Sequence, residues 1–257
     1  PAEVRVFSNT GSPLPQYNFF PFGPAYTGGV EISAGSITAA GAIQIVASQS
    51  RGGTVRVFDV TPGAASPVAS SPIRQIQPFG TKFRGGVSVA TADLGTFDGT
   101  SRTSESPDGI TELVVGSGPG IPATAKVYNG VPNPPALINS FRAIGAKYKR
   151  GISVARLPTT PLTADKILVS AGSSGGGLVE TYTGLSQSRE AAFSSFDGTR
   201  AAIFAAAIDQ SQIFTVEGEF GRTNGVRKNT STSGAGGAIL PQSTVSYPPL
   251  RVAILRK

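Results

Sequence analysis

The chain of 257 residues carries 33 Gly and 20 Pro, about one residue in five, and no Cys, Met, His or Trp. Those absences exclude disulfide scaffolds, thiolate chemistry, zinc sites of the usual kind and every mechanism that takes His as its base. Charged residues make up 14%, and the net charge of +7 comes from basic residues scattered singly, unlike the dense Lys and Arg clusters of a nucleic-acid binder, so no nucleic-acid partner is expected.

Hydrophobic residues at 39% suffice for a sizeable core at this length. No apolar run approaches the ~20 residues of a membrane helix, so no membrane span is expected. The chain opens on Pro1 and runs straight into strand-like sequence with no signal-peptide pattern. A processed, truncated or partly represented parent is therefore expected, and the missing thiols suit an exported one.

In chain order, the first strand-like element is Val4-Arg5-Val6-Phe7. It returns as Val55-Arg56-Val57-Phe58, Ala125-Lys126-Val127-Tyr128 and Val179-Glu180-Thr181-Tyr182, with a fainter copy at Leu250-Arg251-Val252-Ala253. A second element, an aromatic-Gly loop running into a strand, starts at Pro21 and recurs from Pro78, Ala143 and, degraded, Ser194. A third is a short apolar strand ending in small residues, from Ile43, Glu112, Lys166 and Gln212. The loop-to-strand copies are spaced 57, 65 and 51 residues apart, measured at Val30, Val87, Ile152 and Ile203. Each period holds four β-branched runs divided by Gly, Pro, Ser and Asn clusters, and sustained helical periodicity is absent.

Four short strands per repeat predict an all-β fold, a β-propeller with four-stranded antiparallel blades, about four of them visible. A β-sandwich is the alternative, but it does not explain recurring sequence. One propeller domain is expected over 1–257, or the C-terminal part of one. Blade-like repeats fall near 2–53, 54–122, 123–177 and 178–257, with 221–246 as a polar, Gly-rich insertion.

The ordered strings "GGVSVATAD", "DGITELVVGSGPG" and "AKVYNG" resemble the FG-GAP (VCBS-type) propeller repeats of large secreted bacterial proteins, over most of 2–177. That resemblance implies an exported, non-catalytic propeller that is extracellular, on the cell surface or periplasmic. It would serve as a binding and assembly scaffold. A carbohydrate-binding lectin and a non-catalytic part of a larger secreted enzyme are the alternatives. The family's phase puts blade boundaries near Gly29, Gly86, Gly151 and Arg200, so the chain begins on a third strand at Ala2 and ends on one near Leu250. The half-blade before Gly29 then needs inner strands, from circular closure, from upstream blades of a seven-bladed parent, or from a partner subunit.

The family's inner hairpin often carries an acidic Ca²⁺ loop. Carried over residue by residue, its positions fall on Ser36, Ala40 and Gln44 in the first copy. In the second they fall on Asp93, Asp108 and Glu112, the one Ca²⁺ candidate and the only cofactor entertained. The third copy has Lys166 with Asp165 beside it, and the fourth keeps only Asp209.

Gly172-Ser173-Ser174-Gly175-Gly176 fits a nucleophile elbow by letter but has neither a His nor a following helix. A glycosidase pair of acids is also missing, since Glu31 is the one acid on the predicted inner strands. Charge is sorted by loop. The loops before each inner strand carry Lys82, Arg84, Lys147, Lys149, Arg150 and Arg200, and the loops between second and third strands add Arg51, Arg222, Arg227 and Lys228. On the opposite side stand Asp93, Asp98, Glu105, Asp108, Asp165 and Asp209. A disc with one basic and one acidic face is expected, its basic face suited to an acidic polysaccharide or an acidic subunit. The aromatics Phe20, Phe22, Tyr26, Phe79, Phe83, Tyr148 and Phe196 are expected to pack between blades rather than to form a glycan platform.

Overall fold

Short β-branched runs between glycine-rich turns leave the backbone few ways to satisfy its amides other than local antiparallel pairing. The computed structural model shows that outcome. It describes residues 1–183, 188–196, 198–210, 212–219, 222–231 and 239–241, with the backbone alone for 219, 222–231 and 239–241. The protein is all-β, apart from a 3-10 turn at Pro15–Tyr17. Among the described residues no helix is long and apolar enough to cross a membrane.

Four antiparallel four-stranded sheets follow one another along the chain. The first holds β1 (Val30–Gly35), β2 (Gln44–Gln49), β3 (Val55–Asp59) and β4 (Arg74–Ile76), in that order. The second holds β5 (Val87–Ala92), β8 (Glu112–Ser117), β9 (Thr124–Asn129) and β10 (Ala136–Arg142). A small hairpin, β6 (Thr96–Asp98) with β7 (Ser101–Ser104), stands in the long connection after β5. The third runs β11 (Ile152–Leu157), β12 (Lys166–Ala171), β13 (Leu178–Thr183) and β14 (Arg189–Ser194). The fourth runs β15 (Ala202–Asp209), β16 (Gln212–Glu219), β17 (Arg222–Ser231) and β18 (Ile239–Pro241).

The sheets stack face against face, with first strands side by side in the order β1, β5, β11, β15. Each junction is a separate apolar layer. Val46, Val55 and Val57 meet Val87, Val89 and Leu113 between the first two sheets. Val114 and Val127 meet Ile152, Val154 and Ile167 at the next. Leu168 and Val179 meet Ile203 and Ile213 at the third. Position in the stack sets the burial pattern. β5 and β8 are buried at every residue because both faces are covered, whereas β15 alternates. Hydroxyls tie neighbouring sheets across these layers: Ser48 donates to the Val87 carbonyl (2.5 Å), Ser88 to Ile152 (3.0 Å) and Thr91 to Ala34 (2.6 Å).

Three expectations are corrected. Val4–Phe7 is not a full third strand. Among the described residues it makes only isolated bridges, Val4 to Phe19 and Phe7 to Pro13, and no second strand lies along its inner edge. The segment 221–246 is not simply an inserted loop, since β17 and β18 fall within it and complete the fourth sheet. Arg222, Arg227 and Lys228 accordingly lie on strand β17 rather than in a loop. The faint copy at Leu250 lies outside the described residues.

Candidate functional site

The loops that precede each first strand, together with the turns between second and third strands, meet along one rim of the stack. Backbone hydrogen bonds stitch them together from sheet to sheet. The Gly86 amide donates to Gly52 (2.9 Å), Gly120 to Lys149 (3.1 Å) and Ser174 to Arg200 (2.8 Å). The approach is close enough to demand glycine. Gly86 sits at φ 88°, and a β-carbon there would stand 2.5 Å from the Ser50 carbonyl oxygen. With the backbone so committed, the rim's long side chains turn outward, although Arg84 also donates to the Thr81 (2.7 Å) and Phe83 (2.8 Å) carbonyls of its own loop. Lys82, Arg84, Lys147, Lys149, Arg150 and Arg200 are all exposed, as is Arg51. None of the seven forms an ion pair among the described residues. The loops 50–54, 77–86, 118–123, 143–151 and 172–177 contain no acid, whereas the loop that carries Arg200 also has Asp197 in its sequence.

The rim is held from beneath by one column of residues on the third strands. Arg56 donates to the Pro21 carbonyl (2.9 Å) and lies over the Phe22 ring. Lys126 does the same with Pro78 (2.7 Å) and Phe79. In the third sheet the column holds Glu180, and the partner inverts with it: the Ile144 amide donates to the Glu180 carboxylate at 2.7 Å. Ile144 is at φ 61°, a left-handed conformation unusual for a β-branched residue. An anion in place of a cation thus meets an N–H in place of a C=O. Glu180 also accepts from the Tyr182 hydroxyl and from Arg189 (3.1 Å). Sequence reasoning passed over Glu180, although an acid in the column Arg5, Arg56, Lys126 was the signal for it.

The aromatics behave as structural parts with one exception. The Tyr26 hydroxyl donates to the Arg51 carbonyl (2.9 Å) and Tyr148 to Ser173 (2.9 Å), each bracing a turn of the rim. Burial pushes the Tyr148 hydroxyl up to about 12, so it remains a donor. Phe83 is buried edge-on to Phe79, and Phe196 is buried against the fourth sheet. Phe20 is instead exposed and packs between no sheets.

The opposite rim differs from its sequence expectation. Asp93 and Asp165 are buried rather than solvated. The long connection after β5 folds inward, and its amides need acceptors. The Asp93 carboxylate accepts from Gly109 (2.8 Å), Glu112 from Leu94 (2.8 Å), and Asp108 from Ile110 (2.8 Å). Asp165 accepts from the Asp93 amide (2.9 Å) and pairs with Arg156 (2.6 Å). The Ca²⁺ candidate Asp93, Asp108, Glu112 is corrected accordingly. Those carboxylates are directed at backbone amides, and among the described residues no three acids are gathered as a metal would need. Burial, with Asp93 and Asp108 nearby, pushes Glu112 up to about 8. Glu31, half-buried on β1, is pushed up to about 7 by desolvation. Asp98 and Glu105 remain exposed, and Asp209 at the end of β15 is partly exposed and accepts from Gln212, so the acidic face thins without vanishing.

No protein-family model matches the chain, and no curated protein sequence matches it.

Proposed function

We propose that the four sheets are successive blades of a β-propeller of the FG-GAP/VCBS kind. In this reading the chain is a non-enzymatic binding and assembly module of an exported protein, and its basic rim docks onto an acidic polysaccharide. The observation that carries the reading is the rim itself: seven exposed cations, six of them (Arg51, Lys82, Arg84, Lys147, Lys149 and Arg150) in braced loops that contain no acid. Exposed like charges held close together cost free energy unless a polyanion or counterions neutralise them. The aromatic-platform lectin is disfavoured, because Tyr26, Phe83 and Tyr148 are committed to holding loops. Charge rather than ring stacking is what the rim offers a ligand. Titration of the protein with a carboxylated or sulfated glycan at several salt concentrations tests the proposal. Affinity that falls steeply with salt supports it, and absent or salt-independent binding refutes it.

A further inference from the structure

Residues 1–29 are built as the outer half of a sheet, and among the described residues no strand fills its inner half. The pairing Val4 to Phe19 occupies the same repeat positions as Val55 to Ile76 and Ala125 to Phe141 in the next two sheets, and Val179 pairs one position away, at Phe193, in the third. The segment also docks on its neighbour as a complete sheet does. Pro21 and Phe22 meet Arg56 as Pro78 and Phe79 meet Lys126. Tyr17, Phe19 and Phe22 then pack on Ala47 and Phe58 of the first sheet. Among the described residues, no strand occupies the places of a first and a second strand.

Two marks of that vacancy lie side by side. One is a backbone edge. The Val4 amide and carbonyl both bond Phe19, so by strand alternation the polar groups of Glu3 and Arg5 point the other way. Among the described residues they have no backbone partner there. The other is a bare face. Ile32 of β1 is 55% exposed, whereas its counterparts Val89 and Val154 are 6% and 8% exposed beneath the preceding sheet. Edge and face are continuous with the interface that Phe19 and Phe22 already fill.

We infer that this vacancy receives a two-stranded antiparallel β-hairpin from a partner polypeptide. One strand would extend the Glu3–Phe7 edge, and the other would cover Ile32. The partner hairpin has the chemistry of β1–β2, β5–β8 and β11–β12: an apolar strand with small residues at its end, facing an alternating Val/Ile strand. The chain's own hairpins of this type do not supply it, because all four are engaged as inner pairs of complete sheets, β15–β16 with β17 and β18 included. The same holds for a second copy. Main-chain bonding along an open edge gives such a site affinity, and alternate side chains over Ile32 give it selectivity. Filling the edge also removes a template for aggregation.

The test uses the full chain and a synthetic peptide spanning Arg150–Ser173, the β11–β12 hairpin. Hydrogen exchange is followed at Arg5 and Phe7 with and without peptide. The expected result is fast exchange in the free protein, one-to-one binding, and at least tenfold slower exchange in the complex. Arg5→Pro removes the outward N–H and leaves the Val4–Phe19 bonds in place. It should weaken peptide binding at least tenfold while the thermal midpoint holds. A Val169→Pro peptide, added to unaltered protein, should bind no better than Arg5→Pro does. Protected Arg5 and Phe7 amides in the free protein would overturn the inference, as would failure of the unaltered peptide to bind. Glycan binding by the rim is a separate readout and is unaffected by either result.

Discussion

The two rims of the stack carry opposite charge in the sequence, yet they put it to different uses. On one rim the backbone largely satisfies itself, strand to turn and sheet to sheet. The cations of Lys82, Lys147, Lys149, Arg150 and Arg200 face water, while Arg84 also bonds its own loop's carbonyls. On the other a long connection after β5 folds inward, and Asp93, Asp108, Glu112 and Asp165 turn toward its amides. The lesson is that loop charge becomes available to a partner only where the loop's own backbone has no need of it. A stitched loop exports its charges and an unstitched one consumes them.

The largest expected effect comes from the support under the basic rim. Glu180→Ala strands the Ile144 amide and the Tyr182 hydroxyl and leaves Arg189 without its partner, and should destabilise the fold by about 3 kcal/mol in urea denaturation. Glu180→Gln keeps an acceptor and should cost less than half as much. Equal losses would remove Glu180 from its role as the brace. On the acidic side, Asp165→Ala should cost about 2 kcal/mol, since the Asp93 amide loses its acceptor, and glycan affinity should not move. A drop in glycan affinity would mean that the rims are not independent.

A pH series sharpens the same contrast. Glu112 is held at about 8 and Glu31 at about 7, above the ~4.3 of an exposed glutamate. The folded protein therefore keeps protons that the unfolded chain has already released. Stability should fall as pH rises from about 4.3 to about 8, then level off. Denaturant midpoints for Glu112→Gln should show a shallower decline, and an unchanged slope contradicts the placement of a buried acid there. The smallest effect on stability belongs to the cations. Lys147→Glu, Lys149→Glu and Arg150→Glu should each stay within about 0.5 kcal/mol of the parent, because exposed unpaired charges hold nothing together.

Much of the architecture was legible because repetition fixes phase. The strings at Val30, Val87, Ile152 and Ile203 mark four first strands, and the four sheets begin with or immediately before those residues. Alternation of small and β-branched residues then separates the two faces of each strand. The basic rim was readable for a simple reason. The loops that carry Arg51, Lys82, Arg84, Lys147, Lys149 and Arg150 are rich in Gly and hold no acid, so these side chains have no ion-pair partner close by in sequence. The acidic rim was not readable, because burial of Asp93 and Asp165 depends on how the connection after β5 folds, and repeat spacing is silent on an irregular loop. The Ile144 amide meeting Glu180 was likewise hidden, since a peptide orientation has no sequence signature beyond the acid that accepts it. The half-sheet at Val4 was visible as a strand motif. Its reduction to bridges follows from the strand that is missing beside it, and a missing neighbour leaves no mark on the motif itself.

The proposed role of the stitched rim is to bind polyanion through its unpaired cations. The most direct measurement is the affinity for a sulfated glycan of the parent and of the triple variant Lys147→Glu, Lys149→Glu, Arg150→Glu, each at low and at physiological salt. The variant should lose at least tenfold in affinity and show a shallower salt dependence with an unchanged thermal midpoint. Equal affinity and equal salt dependence in parent and variant would contradict it.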